Sequence, residues 1–192
     1  MSKISQEERD RIISIFCSIN VVKYGKFTLK DGTISPIYID LRILPNFPNE
    51  FKEVIETTSR FLKQLNLTSQ FDGIIAPPLA GIPFGVALAL NLNKEFYLAR
   101  IQPKSHGTKK LIEGDITNKR ILIIDDVITS GSSKIPIINT IRDNKGIPIS
   151  LFVFVNRIHS NEELIKFEHD TRIKINSLLS LDDLINEEPL SK

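Results

Sequence analysis

Ile121-Leu122-Ile123-Ile124-Asp125-Asp126-Val127-Ile128-Thr129-Ser130-Gly131-Ser132-Ser133 runs from four aliphatic residues into two adjacent acids and then into a loop of hydroxyls around one glycine. A short continuous aliphatic run reads as a strand covered on both faces. Open parallel sheets bind their ligands beyond the carboxyl ends of the strands, so Asp125 and Asp126 stand where a site belongs. Two unpaired carboxylates side by side repel; they are tolerable when solvated and useful against a hydroxyl-rich ligand or a cation. Thr129 to Ser133 add hydroxyl donors and backbone amides, with a glycine that lets the chain curl, ahead of a helix whose N-terminus favours negative charge. Acids for sugar hydroxyls beside a phosphate cradle suit a ribose 5-phosphate. Neither GxxxxGK[ST] nor GxGxxG occurs in the chain. A plain strand-end turn with a helix cap and solvated acids explains an Asp or a Ser singly, but not the whole string.

The flanking sequence extends the same pattern. Ser5 with Glu8 three residues on is a capping-box pattern, and Ile12, Ile15, Phe16 and Ile19 follow at helical spacing. Asp31-Gly32 lies between two short β-prone runs in FTLKDGTISPIYIDLR and signals a hairpin. A second helix follows Pro48, with Phe51, Val54, Ile55, Phe61 and Leu62 on one face. From there the reading is strand 73–76, helix 81–92, strand 95–101, strand 119–126, helix 133–144 and strand 147–155. Alternating strands and helices with unalternating apolar strands predict an α/β fold around a parallel sheet.

With 192 residues, 41% of them hydrophobic, the chain can bury one substantial core, and no composition break divides it; a single domain over 1–192 is expected. A net charge of only +2 gives no footprint of a nucleic-acid binder and fits a small anionic ligand better. Cys17 is the single cysteine, so no disulfide forms within the chain, and its helical segment predicts a small buried hydrophobe. The start MSKISQEERDR has no apolar stretch of signal-peptide length, and no run reaches the ~18 apolar residues of a membrane span. A cytoplasmic protein with no membrane partner is the expectation. His159 and His169 read as surface residues.

IIDDVITSGSS resembles the phosphoribosyl-pyrophosphate signature of the type I phosphoribosyltransferases. Phe27-Thr28-Leu29-Lys30-Asp31-Gly32 with Ser35-Pro36-Ile37-Tyr38-Ile39-Asp40-Leu41-Arg42 is similar to the N-terminal hood of the orotate phosphoribosyltransferases, and Lys104-Ser105-His106-Gly107-Thr108-Lys109-Lys110-Leu111-Ile112-Glu113-Gly114 to their mobile catalytic loop. The resemblance spans about 16–184. It implies the type I phosphoribosyltransferase fold, a central parallel sheet flanked by helices, with a small hood mainly in 1–45 and a flexible loop at about 102–114. It also implies transfer of phosphoribosyl from phosphoribosyl pyrophosphate to orotate, giving orotidine 5'-monophosphate and pyrophosphate for pyrimidine synthesis. Mg2+ is implied on the pyrophosphate rather than in a protein metal site, and a homodimer in which the Lys104 loop acts in trans.

The same resemblance assigns roles by position. Asp125 and Asp126 meet the ribose hydroxyls, Thr129, Ser130, Gly131, Ser132 and Ser133 surround the 5-phosphate, and Val127 and Ile128 belong to the same substrate-binding run. Arg100 and Lys104 face the pyrophosphate, and His106 on the loop helps place the leaving group. Lys104, His106, Asp125 and Asp126 are thus the implied catalytic set. Lys30 and Tyr38 belong to the hood's substrate surface, Arg157 to the orotate carboxylate, and the loop 76–81 backs the pyrophosphate. The chain departs from the family at Ile101-Gln102, where Lys-Glu is common, and at Ser105, Asn156 and Ala80; the glycine pair expected after Arg157 is missing. The alternatives are a weak or inactive paralogue that binds nucleotide or phosphoribosyl pyrophosphate as a regulator, and a phosphoribosyltransferase for another base.

Overall fold

A computed structural model describes residues 4–28, 34–100, 111–158 and 160–185. Helix α1 (Gln6–Ser18) starts at the expected cap: Ser5 Oγ accepts from the Glu8 backbone N–H at 3.2 Å and donates to Glu8 Oε2 at 3.1 Å. Its buried face is Ile12, Ile13, Ile15 and Phe16. Cys17 is only half-buried, packed against this core with its Sγ 3.8 Å from the Tyr24 hydroxyl.

Strands β1 (Val22–Thr28) and β2 (Ile34–Ile39) pair antiparallel, with Val22 opposite Ile39 and Thr28 opposite Ile34. The expected Asp31-Gly32 turn lies outside the described residues. β1 begins five residues before the predicted run at Phe27, because Val22 is buried in the core while Lys23 and Lys26 face solvent. A 3-10 helix (Leu41–Asn46) leads into α2 (Pro48–Gln64), where the fixed φ of proline suits the first turn. α2 buries Val54, Ile55, Phe61 and Leu62; Phe51 meets Phe84 edge-on, ring centroids 5.4 Å apart.

The main sheet follows: β3 (Gly73–Ala76), helix α3 (Gly81–Leu92), β4 (Glu95–Leu98), β5 (Arg120–Ile128), α4 (Ile135–Asp143), β6 (Ile147–Asn156), α5 (Asn161–Thr171), β7 (Lys174–Ser180) and α6 (Leu181–Ile185). The strand order is β4-β3-β5-β6-β7, and every neighbouring pair is parallel. Leu122 and Ile124 of β5 point into one apolar layer with Phe16, Phe61, Phe84 and Leu88. Ile121 and Ile123 point into the other, with Ile137, Ile138, Ile141 and Phe167. Helices thus cover both faces, which is why the strand is aliphatic at every position; each such side chain fully buried stabilises by about 1.5–3 kcal/mol.

In the main sheet three boundaries depart by two residues or more from the sequence reading. β4 stops at Leu98, because the chain then turns into an antiparallel bridge, Ala99 with Ile112. β5 runs two residues past Asp126, since Val127 and Ile128 still pair with Val155 and Asn156 of β6. The helix expected from Ser133 opens as a short 3-10 turn (Ser132–Lys134), and α4 proper begins at Ile135. Three elements, α5, β7 and α6, follow beyond those the sequence pattern predicts. α5 carries its own cap, the Glu163 N–H on Ser160 Oγ at 3.0 Å, and α6 ties back to β1 through the Tyr24 hydroxyl on the Leu184 carbonyl at 2.9 Å.

Candidate active site

The chain leaves β3 for β4 on one side and then returns to place β5 on the other, so the sheet's switch point lies between β3 and β5. The carboxyl ends of those two strands frame the crevice where doubly wound sheets bind ligands. Asp125 and Asp126 lie near the end of β5, and Pro77-Pro78-Leu79-Ala80 follows β3. The Pro78–Leu79 peptide bond is cis. Gly81 opens α3 directly behind the acids: a Cβ there would come within 2.7 Å of the Ile124 carbonyl oxygen and 3.1 Å of Asp125 Oδ1. Only glycine lets α3 sit this close to β5.

The two acids differ in environment. Asp125 is buried, 4% exposed; its Oδ1 accepts from the Asp126 backbone N–H at 2.9 Å and its Oδ2 meets the Lys134 ammonium. Lys134 is itself 7% exposed, so the two form a buried ion pair beneath the loop. Asp126 is half-buried, and its Oδ1 accepts from the Val127 N–H at 2.7 Å. Its carboxyl is pushed up to about 6, by burial first and then by the charge of Asp125.

Thr129, Ser130, Ser132 and Ser133 are exposed around Gly131, and the Ser130 and Ser132 hydroxyl oxygens lie 3.0 Å apart. Gly131 has φ +76°, and a Cβ on it would sit 2.5 Å from the Phe167 ring. Conformation and space both require glycine there. The loop closes as the Lys134 N–H donates to the Gly131 carbonyl at 2.9 Å.

Arg100 follows β4, and its guanidinium pairs with Glu113 Oε1, at 2.6 Å from Nη2 and 2.7 Å from Nε. The backbone beside it is a short ladder, Arg100 N–H to the Leu111 carbonyl at 2.8 Å and Glu113 N–H to the Leu98 carbonyl at 2.9 Å. These bonds hold together the two ends of the segment 101–110, which lies outside the described residues with Lys104 and His106 on it. Lys30 lies outside them too.

Arg157 follows β6. It is buried, its N–H donates to the Ile128 carbonyl at 2.8 Å, and its Nη2 donates to Ser35 Oγ on β2 at 3.2 Å. The two-stranded sheet is thereby joined to the carboxyl edge of the main sheet. Arg42, just after β2, grips Asp40 with Nε at 2.7 Å and Nη2 at 2.8 Å, and reaches the Tyr38 hydroxyl at 3.5 Å. The Asp40 hydrogen bond raises the Arg42 guanidinium further, with Asp126 a smaller contributor from across the crevice. Tyr38 also packs against Phe27, ring centroids 5.6 Å apart. Among the residues assigned from sequence, Tyr38, Arg100, Arg157 and the run Asp125–Ser133 are therefore placed on or beside one edge. Lys134 and Arg42 carry no role in the sequence reading, and nothing local in the sequence marks Lys134 as buried.

A family model for the phosphoribosyl transferase domain matches residues 46–182. The orotate phosphoribosyltransferase of Pyrobaculum islandicum is 37% identical over 183 residues, 92% of this chain and 93% of that protein. The chain belongs to the orotate phosphoribosyltransferase family. Another member, from Staphylothermus marinus, is 38% identical over 144 residues, 75% of this chain and 69% of the relative. The crystal structure of orotate phosphoribosyltransferase from Aeropyrum pernix matches with a TM-score of 0.78 at 24% identity, covering 91% of this chain and 96% of that one. At that identity the likeness is one of fold, and it bears out the α/β, type I phosphoribosyltransferase architecture expected from sequence. Relative to that family pattern, Asn156 uses its Oδ1 to accept from the Ile158 N–H at 2.9 Å, capping the turn after β6.

Proposed function

We propose that the chain is an orotate phosphoribosyltransferase enzyme: it transfers the phosphoribosyl group of phosphoribosyl pyrophosphate to a ring nitrogen of orotate, releasing pyrophosphate and forming orotidine 5'-monophosphate. The observation that carries this reading is the run Asp125–Ser133 at the switch point together with the buried Arg157 on the same edge. In the reaction the bond from the anomeric carbon to pyrophosphate breaks and a carbon–nitrogen bond forms, so positive charge grows on the ribose and negative charge on the leaving group. Asp126, with Asp125 behind it, faces the ribose hydroxyls, and the amides and hydroxyls of Thr129 to Ser133 hold the 5-phosphate. Arg157 offers a planar fork to the orotate carboxylate, a geometry that lysine lacks. Arg100, Lys30 and the 102–114 loop with Lys104 and His106 serve the pyrophosphate, with Lys104 reaching over from a second copy in a homodimer.

Mg2+ fits this donor set as a passenger on the pyrophosphate. On this reading most of the cation's ligands would come from phosphate oxygens and water, the hard oxygen donors it prefers. When bound it neutralises charge on the leaving group. A cytoplasmic place in pyrimidine synthesis is part of this proposal; among the described residues no helix is long and apolar enough to cross a membrane. Loss of orotate absorbance on mixing the protein with orotate, phosphoribosyl pyrophosphate and Mg2+ tests the reading. Binding of phosphoribosyl pyrophosphate with no orotate consumption would instead mark a regulatory paralogue, the reading that Ile101 in place of a family lysine favours. Turnover of a different base would redefine the acceptor.

A further inference from the structure

A lysine directly after a phosphate-type loop is ordinarily read as an anion contact. Here the ammonium is turned the other way. Lys134 is 7% exposed, sits in the 3-10 turn between the loop and α4, and points at Asp125, which is 4% exposed. A buried ammonium has a high desolvation cost, so its placement under the loop requires the carboxylate, and the carboxylate equally requires it. Asp125 is then fixed at both oxygens, by Lys134 on Oδ2 and by the Asp126 N–H on Oδ1. The second of these bonds passes the orientation on to Asp126.

We propose that Lys134 is the positioning residue of the sugar site: its buried ammonium sets the direction and the charge of the Asp125–Asp126 pair that receives the ribose hydroxyls, and it makes no contact with the phosphate. The inference rests on the ribose reading of the two acids and adds a residue and a role to it. The charged groups facing the pair from the described elements are Lys134 from the loop side and Arg42 from the segment after β2. The opposite neighbour on β6, Val153, and Gly81 at the start of α3 bring none. Asp126 feels Asp125 as a repelling charge and Lys134 as an attracting one. Removing the ammonium alone therefore makes the pair take up a proton at higher pH. Removing it together with the Asp125 charge does the reverse.

The test uses the full chain in three forms besides wild type: Lys134→Met, Lys134→Arg, and Lys134→Met combined with Asp125→Asn. The last removes both buried charges and so keeps the fold accessible even where the single methionine variant is unstable. Titration of carbon-13-labelled aspartate carboxyls, without ligand, should show the acidic pair's midpoint raised by about one pH unit in Lys134→Met, lowered in the double variant and restored in Lys134→Arg. Calorimetry at pH 7 should show ribose 5-phosphate bound ~10-fold more weakly by Lys134→Met, with inorganic phosphate binding changed less than ~2-fold, the tenfold loss being about 1.4 kcal/mol. An unmoved midpoint in folded Lys134→Met and in the double variant would overturn the proposal. So would an equal weakening of ribose 5-phosphate and phosphate, which would make Lys134 an ordinary phosphate contact. Failure of the wild type to bind ribose 5-phosphate would sink the sugar-site reading itself, while the carboxyl titration would still report whether Lys134 governs the pair.

Discussion

Arg157 and Ser35, 122 positions apart in sequence, meet where the carboxyl end of β6 passes under β2, the guanidinium Nη2 donating to the serine hydroxyl at 3.2 Å. Ser35 in turn donates to the Ile37 carbonyl at 2.6 Å, so the arginine's bearing depends on the two-stranded sheet staying in place. A single hydrogen bond to a charged group is worth about 1.5–3 kcal/mol. Ser35→Ala should therefore keep the fold and raise the KM for orotate ~10-fold or more, with less change in that for phosphoribosyl pyrophosphate. Arg157→Lys should do worse, because the point charge cannot reproduce the fork. Steady-state kinetics with each substrate varied in turn would separate the two effects, and an unchanged orotate KM in Arg157→Lys would remove this arginine from the base site.

Gly131 lies in the hydroxyl loop, with helix α5 packed behind it. Its φ of +76° and the Phe167 ring 2.5 Å from a Cβ position make alanine both strained and crowded. Strain of this kind costs on the order of 1–3 kcal/mol, so Gly131→Ala should lower the melting temperature by roughly 4–10 °C. Binding of ribose 5-phosphate should fall with it, since the loop cannot keep its shape. Adding Phe167→Ala to the glycine variant relieves the crowding but not the backbone conformation, and should recover part of the stability without recovering affinity.

How much of this was written in the sequence depends on whether the cause is local. β3 and α3 are legible residue for residue, because Gly73, Gly81 and the apolar runs after them punctuate the chain. α5 is hard to read although Ser160 and Glu163 form its cap pattern, since Glu162, Lys166, Glu168 and Asp170 leave it only a thin apolar face. β7 hides its buried Ile175 and Leu179 behind Asn176 and Ser177 in the middle of the strand. At the site, the acids and the hydroxyl loop are contiguous and could be read directly. The role proposed for Arg157 rests on resemblance alone, and the burial of Lys134 is a tertiary fact with no local signal.

Asp126 gives the site a pH dependence with a definite sign. Its folded-state carboxyl lies near 6, above the ordinary carboxylate value near 4 that holds in the unfolded chain. The folded protein keeps the proton in that interval, so this group's contribution to stability is present below about pH 4 and is lost as pH rises through 6. The loss is on the order of 2–3 kcal/mol, set by burial and by the charge of Asp125. Asp126→Asn should consequently melt higher than wild type at pH 8 and nearly alike at pH 4, while binding phosphoribosyl pyrophosphate more weakly at both. A variant less stable than wild type at pH 8 would contradict the raised carboxyl.

Asp125→Asn should behave in the opposite way, although the two acids are neighbours. It strands the Lys134 ammonium in a buried site, a loss of about 3–5 kcal/mol where one partner of such a pair is removed. Chemical denaturation at pH 7 should place it well below both wild type and Asp126→Asn. Similar stabilities for the two variants would show that the Lys134 pair is not buried in solution.

Arg100 is the described cation closest along the chain to the 101–110 segment, and its guanidinium is engaged by Glu113. The pair is partly exposed, its side chains 36% and 39% accessible, so its strength is about 0–1 kcal/mol. Pyrophosphate can displace Glu113 at that cost, and Glu113→Gln should tighten phosphoribosyl pyrophosphate binding by no more than ~5-fold. Next along the chain is Ile101, where the resemblance noted from sequence leads one to expect lysine. Lys30, Arg100, Lys104 and Arg157 all remain, whereas a decayed site loses its costly charges together, so Ile101→Lys should change the turnover rate by less than ~3-fold. A tenfold or greater gain from that one substitution, in a protein that binds phosphoribosyl pyrophosphate but consumes orotate poorly, would show that the missing cation is not compensated and that the chain works as a sensor rather than a catalyst.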